Sequence, residues 1–554
     1  MGSRSLIAAC FVFLIFASVY LAAVVELDNT NIGTTNGLWK TPMVRGWEKG
    51  TSHKLDSGEW LYLPLYGVLC RAIPDARVSY GTHGPVVTFR KMALVNAMFG
   101  GAASAVVFLL AMRFLGSVLL SAIVVLAHGC AAFVILNSVN SEDILPAYTF
   151  FVLMTFCVFA FLDGGRIGYL AGASVCCAML TLLHWTLMIP ALAGVIAVGL
   201  LNWRRTWMLP VFFALFGIIL KLFMLGFVPS KQGDWVVTAA APSLDTTPFE
   251  RLESIRQIVY PSKTAPNGYL GFRWNKVVSA LIGIGNYFLG GKNIGDNRVA
   301  FADPNILGWM RVSWLFAMVT LAALVWAAIW RSSTRLLAVF GLAAFVTGQM
   351  EHLYSQPQDP QSQIEPMFAT ILGVIVILEA FGRVRFLAVA LGAAFFLEGG
   401  YNARLMLASR GQDSRYMRQS NELAQVFPPD NTVLVSQGWE EWNTWVYAET
   451  FEGDSRRYGT RNIGLVNGFI ARRPGTTPEE AADAMAQKIG EALAAEHRVV
   501  ANVVWVGSRE NFAFSLTTLA SIEDARIYAD RLYGAFHVGK SWDTSAGRFV
   551  EILK

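Results

Sequence analysis

The sequence is poor in charge. Asp, Glu, Lys and Arg make up only 15% of its 554 residues, whereas a soluble domain carries about 25%. Hydrophobic residues make up 54%, and the mean hydropathy is +0.45. We interpret this apolar excess as lipid-facing surface rather than as a large core. The 17 Trp and 16 Tyr residues fit that view, because amphipathic rings favour the membrane–water interface.

Several kinds of chemistry are absent from the sequence. The 6 Cys residues form neither a CxxC zinc pattern nor a disulfide framework. The 7 His residues are scattered and include no HExxH motif, which argues against a zinc hydrolase. The net charge of +5 gives no case for a nucleic-acid partner. We find no internal repeat and no low-complexity segment.

Long apolar runs are what the sequence does contain. Because about 20 apolar residues cross a bilayer, we predict a polytopic α-helical membrane protein with about 11 transmembrane helices. The runs fall roughly at 6–25, 93–112, 115–136, 145–162, 168–188, 189–202, 208–228, 306–330, 336–350, 366–381 and 386–400. The runs on either side of Pro190 form either a helix pair or one kinked element.

Arginines on one side of these runs predict the orientation. Every short connection on that side carries at least one of Arg113, Arg166, Arg204, Arg205, Arg331, Arg335, Arg383 and Arg385. The positive-inside rule places this side and the N-terminus in the cytoplasm of a plasma (inner) membrane. The first run is either a retained helix or a cleaved signal peptide. Its length of about 20 residues favours the retained helix, since a signal peptide has a shorter apolar stretch.

The chain divides into two predicted domains. Residues 1–400 form the transmembrane domain, including the outer loops 26–92 and 229–305, and residues 401–554 form a soluble domain on the periplasmic or extracellular side. NTVLVSQ and RVVANVVWV are typical of buried strands. TPEEAADAMAQKIGEALAAEH and SIEDARIYADRLY are amphipathic, and Thr477 is the predicted N-cap of the first helix, ahead of Pro478. Strands that alternate with helices predict a small α/β domain.

Acidic residues from distant parts of the chain gather on the predicted outer side. They are Asp28, Asp56, Glu142, Asp143, Asp359 and Glu365. Carboxylates beside lipid are costly and usually line a cavity or mark function. For Asp56 and Asp359 simple solvation explains the residue equally well. The Glu142–Asp143 pair stands between two spans and just before Pro146, which favours a functional role.

Other polar and aromatic residues near span ends are candidates for binding. Lys221 and Arg311 lie inside predicted spans near the outer end, where an anionic partner such as a lipid phosphate would compensate their charge. Snorkelling to the interface is the alternative, above all for Lys221. His184 lies near a span end, and we interpret it as a hydrogen-bonded helix residue. Trp60 and Tyr62 follow Asp56 and can stack on a sugar or anchor the loop at the interface.

Together these features resemble the GT-C glycosyltransferases, which use polyprenyl-phosphate sugars and include aminoarabinose, protein mannosyl and arabinofuranosyl transferases. The matching segments are VVELDNTN with Asp28, GEWLYLPLYGVL, NSEDILPAY, and SQPQDPQSQIEPM with Gln363. The first loop lacks a DxD motif, so Asp28 and Asp56 both remain candidates for the catalytic base. VSQGWEEWNTW only partly matches the WWD-type signature of oligosaccharyltransferases.

The resemblance implies an inverting transfer of a hexose or pentose from a polyprenyl-phosphate donor to a hydroxyl acceptor in a cell-envelope glycan, lipid or protein. A carboxylate accepts the acceptor's proton, and the family places this base just after the first helix, which nominates Asp28 ahead of Asp56. Lys221 and Arg311 are candidates to stabilise the leaving phosphate. Glu142 and Asp143 either orient the acceptor or hold a divalent cation, Mg²⁺, Mn²⁺ or Ca²⁺.

Three other functions stay open. A transporter of a lipid-linked or anionic solute predicts internal repeats and charges deep in several spans. An oligosaccharyltransferase, or an O-antigen ligase or polymerase, also acts on polyprenyl carriers. The ligase type relies on outer Arg and His residues, which makes His352 and Arg273 the important positions. A non-catalytic membrane scaffold with an outer binding domain is the third.

Overall fold

A computed structural model gives the fold of two compact units. It describes residues 3–28, 36–51, 60–75, 85–227, 274–290, 304–354, 360–382, 384–408, 410–428, 431–436, 462–464, 476–502, 509–510, 513 and 522–554. The first unit takes in Met1–Val78, Thr88–Val236 and Phe272–Arg410. The second takes in Gly411–Lys554 with two shorter segments.

Within the described residues, the regular secondary structure of the first unit is helical. Its α-helices are α1 (Ser3–Leu27), α2 (Asn36–Lys49), α3 (Tyr62–Arg71), α4 (Pro85–Leu115), α5 (Val118–Gly129), α6 (Ala132–Val139), α7 (Ile144–Gly164), α8 (Ile167–Leu183), α9 (Met188–Leu201), α10 (Met208–Phe227), α11 (Trp274–Phe288), α12 (Pro304–Trp330), α13 (Arg335–Tyr354), α14 (Pro360–Phe381) and α15 (Arg385–Leu407).

The predicted polytopic membrane fold is confirmed. Among the described residues, seven helices are long and apolar enough to cross a bilayer. The bent pair α5–α6 makes an eighth when its two helices are counted as one span. Three shorter apolar helices lie at 167–183, 185–201 and 208–223. Each predicted run coincides with one of these helices. The sequence analysis did not identify α2, α3 and α11, which lie in the predicted outer loops.

The break between α8 and α9 lies at His184 rather than at Pro190. A short 3₁₀ turn, Trp185–Leu187, joins the two helices. Pro190 is the third residue of α9, a position whose N–H has no partner within a helix, so proline costs little there. Helix α8 ends before His184, and the backbone N–H of Leu61 donates to the freed carbonyl of Leu182 at 2.9 Å.

The helix α7 lies at the centre of this unit. In the most apolar 18-residue stretch of α7, 89% of the residues are buried, whereas in the same stretch of α1 or α15 only 22% are buried. Phe151 of α7 packs against Phe340 of α13 and Phe368 of α14, with ring centroids 6.2 Å and 5.8 Å away. The residues just before α7 are therefore placed by the best-packed element of the unit.

The second unit contains the predicted α/β fold. Its elements are α16 (Gln412–Val426), β1 (Thr432–Ser436), β2 (Asn462–Gly464), α17 (Pro478–Ala494), β3 (Arg498–Asn502), α18 (Ile522–Ala535), β4 (His537–Thr544) and β5 (Gly547–Leu553). The sheet order is β2-β1-β3-β5-β4. Strand β1 is parallel to β2 and β3, and β5 is antiparallel to β3 and β4. The predicted strands and helices are confirmed within the described residues, and VSQGWEEWNTW lies almost wholly outside them.

One sheet face is covered by α17 and α18. Val433, Val499 and Val550 of the sheet pack with Ile489 and Leu532 of these helices. The predicted N-cap of α17 is confirmed, since Thr477 accepts from the backbone N–H of Glu480 at 3.2 Å and the Glu480 carboxylate accepts from the N–H of Thr477 at 2.9 Å. This reciprocal capping box satisfies two N–H groups that the helix itself leaves without partners.

Replacing Thr477 by Ala is expected to destabilise α17. Loss of an N-cap costs about 1 kcal/mol, so exchange of the amide hydrogens of α17 in the full-length protein should become roughly fivefold faster. Gln487→Ala is the control, because Gln487 is exposed and bonds Glu491 of the same helix. Equal exchange rates in the two variants would contradict a stabilising role for the cap.

Candidate functional site

A buried ion pair lies at the N-terminus of α7. Asp143 is the residue before the helix, yet its side chain forms no capping bond and instead accepts a hydrogen bond from the ammonium of Lys40 on α2. Asp143 is 0% exposed and Lys40 is 8% exposed. The positive end of the α7 dipole also favours the Asp143 carboxylate. Two helices distant in sequence are thus joined by opposite charges away from water.

Tyr62 of α3 covers this ion pair. The Lys40 ammonium lies 5.0 Å from the centroid of the Tyr62 ring, a cation–π contact that favours the charged lysine. The Tyr62 hydroxyl donates to the carbonyl of Ser141 at 3.4 Å. Tyr62 is fully buried, and packing and hydrogen bonding hold its ring beside the ion pair.

Asn96 of α4 fixes the segment that carries the acidic pair. Its amide nitrogen donates to the carbonyls of Asn140 at 2.9 Å and Glu142 at 2.5 Å. The Tyr66 hydroxyl donates to the Asn96 side-chain oxygen. All of these residues are fully buried. The irregular backbone between α6 and α7 is therefore satisfied by side chains from α3 and α4, as a buried loop at membrane depth requires.

His184 borders the same site from the end of α8. Its Nε2 lies 4.0 Å from Asp143 Oδ1, and Thr186 Oγ1 lies 2.6 Å from its Nδ1. The His184 side chain is 14% exposed. Asp143, Lys40, Glu365 and His352 all lie near enough to act electrostatically on this ring. His184 therefore marks where polar side chains of five segments come together.

Two antiparallel helices supply the far side of the site. His352, in the last turn of α13, lies 2.5 Å from Glu365 Oε1 near the start of α14. The amide of Gln349 donates to the side-chain oxygen of Gln363 at 2.6 Å. The helices approach closely because Gly348 has no side chain, and a Cβ there would lie 2.8 Å from Pro366. We call Lys40, Asp143, His184, His352 and Glu365 the buried charge cluster.

A second charge network holds α2 against α4. The Glu48 carboxylate, with its side chain only 2% exposed, accepts from Lys91 at 2.6 Å and from Thr88 at 2.5 Å. Lys91 also pairs with Asp75, and its hydrogen bond lowers the pKa of that carboxyl below the usual value. Breaking a buried pair on one side costs about 3–5 kcal/mol. This network therefore fixes the helix that delivers Lys40.

Asp28, the predicted base, lies in a separate ion pair. It follows α1 directly, with a positive φ of 45°, and accepts from Arg90 of α4 at 2.7 Å. Six helical positions separate Arg90 from Asn96, which turns their side chains about 120° apart around α4 and places them about 9 Å apart along its axis. Ala93 and Ala97, on the Arg90 side, pack against α1. Asp28 thus lies beside α1 rather than at the Asn96 face.

The other predicted site residues are distributed differently. Glu142 is fully buried beside Asp143, His352 and Gln363 belong to the α13–α14 side, and Trp60 is half-buried. Lys221 and Arg311 are exposed. Asp56, Asp359 and Arg273 lie outside the described residues. Within the described part of the chain, no group of three or more His, Cys, Asp or Glu side chains is arranged to hold a metal ion.

Lys40 and Asn96 did not emerge from the sequence analysis, and His184 was interpreted there as structural. Lys40 lies in NGLWKTPMVRGWEK, whose helical periodicity is the signal that marks α2. Asn96 is one polar residue within an apolar run, a position where membrane helices use amides for contacts between helices. Neither pattern identifies the distant residue that Lys40 or Asn96 contacts in the folded protein.

Comparisons with known proteins give one kind of match. No model of a protein family matches the chain, and no curated protein matches its sequence. Among solved structures, the chain is similar to ArnT from Cupriavidus metallidurans bound to undecaprenyl phosphate, with 11% identity and a TM-score of 0.47. It is likewise similar to the same protein in the apo state, with 14% identity and a TM-score of 0.47. Each match covers 97% of both chains.

Proposed function

We propose that this protein is an inverting glycosyltransferase of the GT-C type, which moves a sugar from a polyprenyl-phosphate donor to a hydroxyl acceptor. The observation that carries the proposal is the buried Lys40–Asp143 pair within the charge cluster. Buried ionisable groups in membrane proteins are costly and usually functional. Here, one cation and two carboxylates meet where spanning helices begin and end.

The position of the cluster fits a lipid-linked donor. Asp143 precedes α7, His184 follows α8, and His352 and Glu365 flank the connection between α13 and α14. All four residues thus lie near one end of apolar helices. A donor whose tail stays in the bilayer presents its phosphate and sugar at this depth. We place this end on the outer side of the plasma (inner) membrane, with the N-terminus in the cytoplasm and the C-terminal unit outside.

Lys40 is the proposed partner of the donor phosphate. An ammonium group has three donors, so Lys40 can turn from Asp143 to a phosphate oxygen and stabilise the charge that develops as the sugar leaves. This movement releases the Asp143 carboxylate, which can then accept the proton of the attacking hydroxyl. The hydroxyl oxygen forms the new bond to the anomeric carbon, and the phosphate leaves with the bonding electrons.

Asp28 is the second candidate for the base. Its carboxylate accepts from Arg90 at 2.7 Å, and the family places its base just after the first helix. Asp56 is a further candidate from the sequence. Asp143 is favoured here because it already contacts Lys40, the proposed partner of the donor phosphate. A base must also lie within hydrogen-bond reach of the reacting hydroxyl.

The remaining polar groups are proposed to bind the sugar, the acceptor or a cation. Gln363 and His352 are suited to hydrogen-bond sugar hydroxyls, and Trp60 to stack on a ring. Lys221 and Arg311, exposed on their helices, are suited to lipid phosphate at the interface. Glu142 and Asp143 remain the candidate ligands of a divalent cation, because Mg²⁺ is often held by one or two carboxylates together with substrate phosphates. Such an ion would neutralise charge on the leaving phosphate.

The test uses the full-length protein, radiolabelled polyprenyl-phosphate sugars and a lipid extract from the source. We expect label to move from the donor to an acceptor. Asp143→Asn should lower the transfer rate by about 10²–10⁴-fold, the usual contribution of a general base, and Asp28→Asn should lower it less. The reverse order would identify Asp28 as the base. Unchanged transfer in both variants and in the double variant would refute a carboxylate base at these positions.

Transport of a lipid-linked solute is the second candidate function. It is favoured by Glu351 and Glu398, which lie in α13 and α15, two of the helices long enough to cross a bilayer. Each has a buried carboxylate oxygen with no hydrogen-bond partner among the described residues. Such carboxyl groups are typical of ion or substrate pathways. Uptake of labelled polyprenyl-phosphate sugar into proteoliposomes, without transfer of label to any acceptor, would favour the transporter.

A further inference from the structure

The bend between α5 and α6 exposes carbonyl groups inside the unit. The two helices meet at 67°, and a helix end leaves its last carbonyls without partners in the helix. Two side chains from other helices donate hydrogen bonds to these carbonyls. The Tyr20 hydroxyl donates to the carbonyl of Gly129 at 2.8 Å, and the Asn402 amide donates to the carbonyl of Cys130 at 2.8 Å. Side chains of α1 and α15 thus stabilise the break.

Asn402 also binds the end of α11. Its amide nitrogen donates to the carbonyl of Phe288 at 2.6 Å, and its side-chain oxygen accepts from the N–H of Gly290 at 3.0 Å. The residue is 1% exposed. One buried amide therefore joins three segments that are far apart in sequence. An amide removed from this position would leave buried carbonyls unsatisfied, at a cost of about 1–3 kcal/mol.

The break is connected to the charge cluster by a short helix. From Ala132 to Val139, α6 has 8 residues, so it extends about 12 Å. Its C-terminus leads directly into Asn140, and Asn96 fixes the carbonyl of that residue. A change of angle at the break is carried along α6 to Glu142 and Asp143, because a hydrogen-bonded helix moves as a rigid element.

Close packing of α15 on the break leaves little room for that angle to change. A Cβ built on Gly399 would lie 2.7 Å from the sulfur of Cys130, whereas one built on the neighbouring Gly400 would meet nothing within 4 Å. Gly399 and Asn402 belong to the same helix and contact the same residue, Cys130. The two contacts thus form one surface of α15.

We propose that Asn402 and Gly399 are positioning residues that set the angle of the α5–α6 break and thereby hold the carboxylates of Glu142 and Asp143 in their working geometry. The inference rests on the function proposed above for that acidic pair. Among the residues that the structure describes, Asn402 bonds Cys130, Phe288 and Gly290 rather than a member of the buried charge cluster. Their effect is transmitted through α6. Asn402 also links the break to the end of α11, which lies in the predicted outer loop 229–305.

Adjacent glycines provide a matched test. Gly399→Ala pushes against Cys130, and Gly400→Ala adds the same methyl group one position along the helix in open space. Asn402→Asp is the second variant, since it keeps the acceptor for Gly290 and removes both donated hydrogen bonds. The full-length protein is labelled with a membrane-permeable maleimide, and modification of Cys130 is followed by peptide mass spectrometry. Buried Cys177 is the internal reference.

We expect Gly399→Ala and Asn402→Asp to speed the labelling of Cys130 and the hydrogen exchange of the amides of residues 140–143. Both should lower kcat on the order of 10²-fold, the effect of misplacing a reacting group by about 1 Å, with little change in KM. Gly400→Ala should match the wild type. A lower kcat with little change in KM distinguishes positioning from general loss of fold. Loss of fold would lower the amount of active protein without slowing the protein that remains folded.

Faster Cys130 labelling with unchanged kcat and unchanged exchange at residues 140–143 would overturn the inference, as would no change in any readout. If the wild type shows no transfer with any donor, the proposed function fails on its own. Exchange at residues 140–143 then decides the inference, since it needs no substrate. Faster exchange in both variants supports the coupling from the break to the acidic pair, and wild-type exchange refutes it.

Discussion

Lys40→Met is expected to cause a large loss of sugar transfer. The substitution keeps an unbranched side chain of similar length and removes the positive charge that contacts Asp143. Loss of one preorganised group that stabilises developing negative charge costs about 10²–10³-fold in rate, and Asp143 is also left as a buried charge without its ammonium. The rate of label transfer from a polyprenyl-phosphate sugar at saturating donor is the measurement.

Lys49→Met is the matched control for this prediction. Lys49 lies on the same helix, but its side chain is 41% exposed and it pairs with Asp75 at 3.0 Å. Exposed ion pairs contribute about 0–1 kcal/mol, so we expect a rate within roughly twofold of the wild type. Equal losses in the two lysine variants would show that any charge removed from α2 is harmful, and would contradict a specific role for Lys40.

The double variant Lys40→Met/Asp143→Leu is expected to regain stability and to remain inactive. Replacing only one partner of a buried ion pair costs about 3–5 kcal/mol, whereas replacing both by apolar residues of similar size is often neutral or stabilising. The fold should therefore tolerate the double change better than either single change. Transfer needs the charges themselves, so a restored fold should not restore the rate.

The measurement compares thermal unfolding in detergent with the transfer rate for the wild type, both single variants and the double variant. Recovery of both stability and transfer in the double variant would show that the pair serves only to hold α2 and α7 together. Failure of the double variant to regain stability would show that the surrounding groups, among them Tyr62 and His184, require the charges for packing. Stability regained without transfer is the result that the proposed site predicts.

The spanning helices were predictable because their signal is local. A run such as Leu6–Val25 is apolar along its whole length, and no distant partner is needed to recognise it. The cap of α17 is equally local, since Thr477 and Glu480 are three residues apart. The sequence analysis placed the boundary between α8 and α9 at Pro190, because proline breaks a helix interior. Proline is tolerated in the first turn of a helix, and the sequence does not show where that turn begins.

The candidate site was predictable only in part. Glu142 and Asp143 were recognisable because two acids between apolar runs are unusual. Their partners were not, since Lys40 is 103 residues away from Asp143 and no spacing rule connects them. The helix α2 is short and rich in polar residues, so a search for long apolar runs passes over it. The pairing of Asp28 with Arg90 is likewise a property of how α1 packs on α4.

Equilibrium binding of a polyprenyl-phosphate lipid to the full-length protein tests the central claim most directly. Wild type and the Lys49→Met variant should bind it with equal affinity, and Lys40→Met should bind at least tenfold more weakly, since loss of a charge-assisted hydrogen bond costs about 1.5–3 kcal/mol. Equal affinity in all three proteins would contradict a phosphate site at the buried charge cluster.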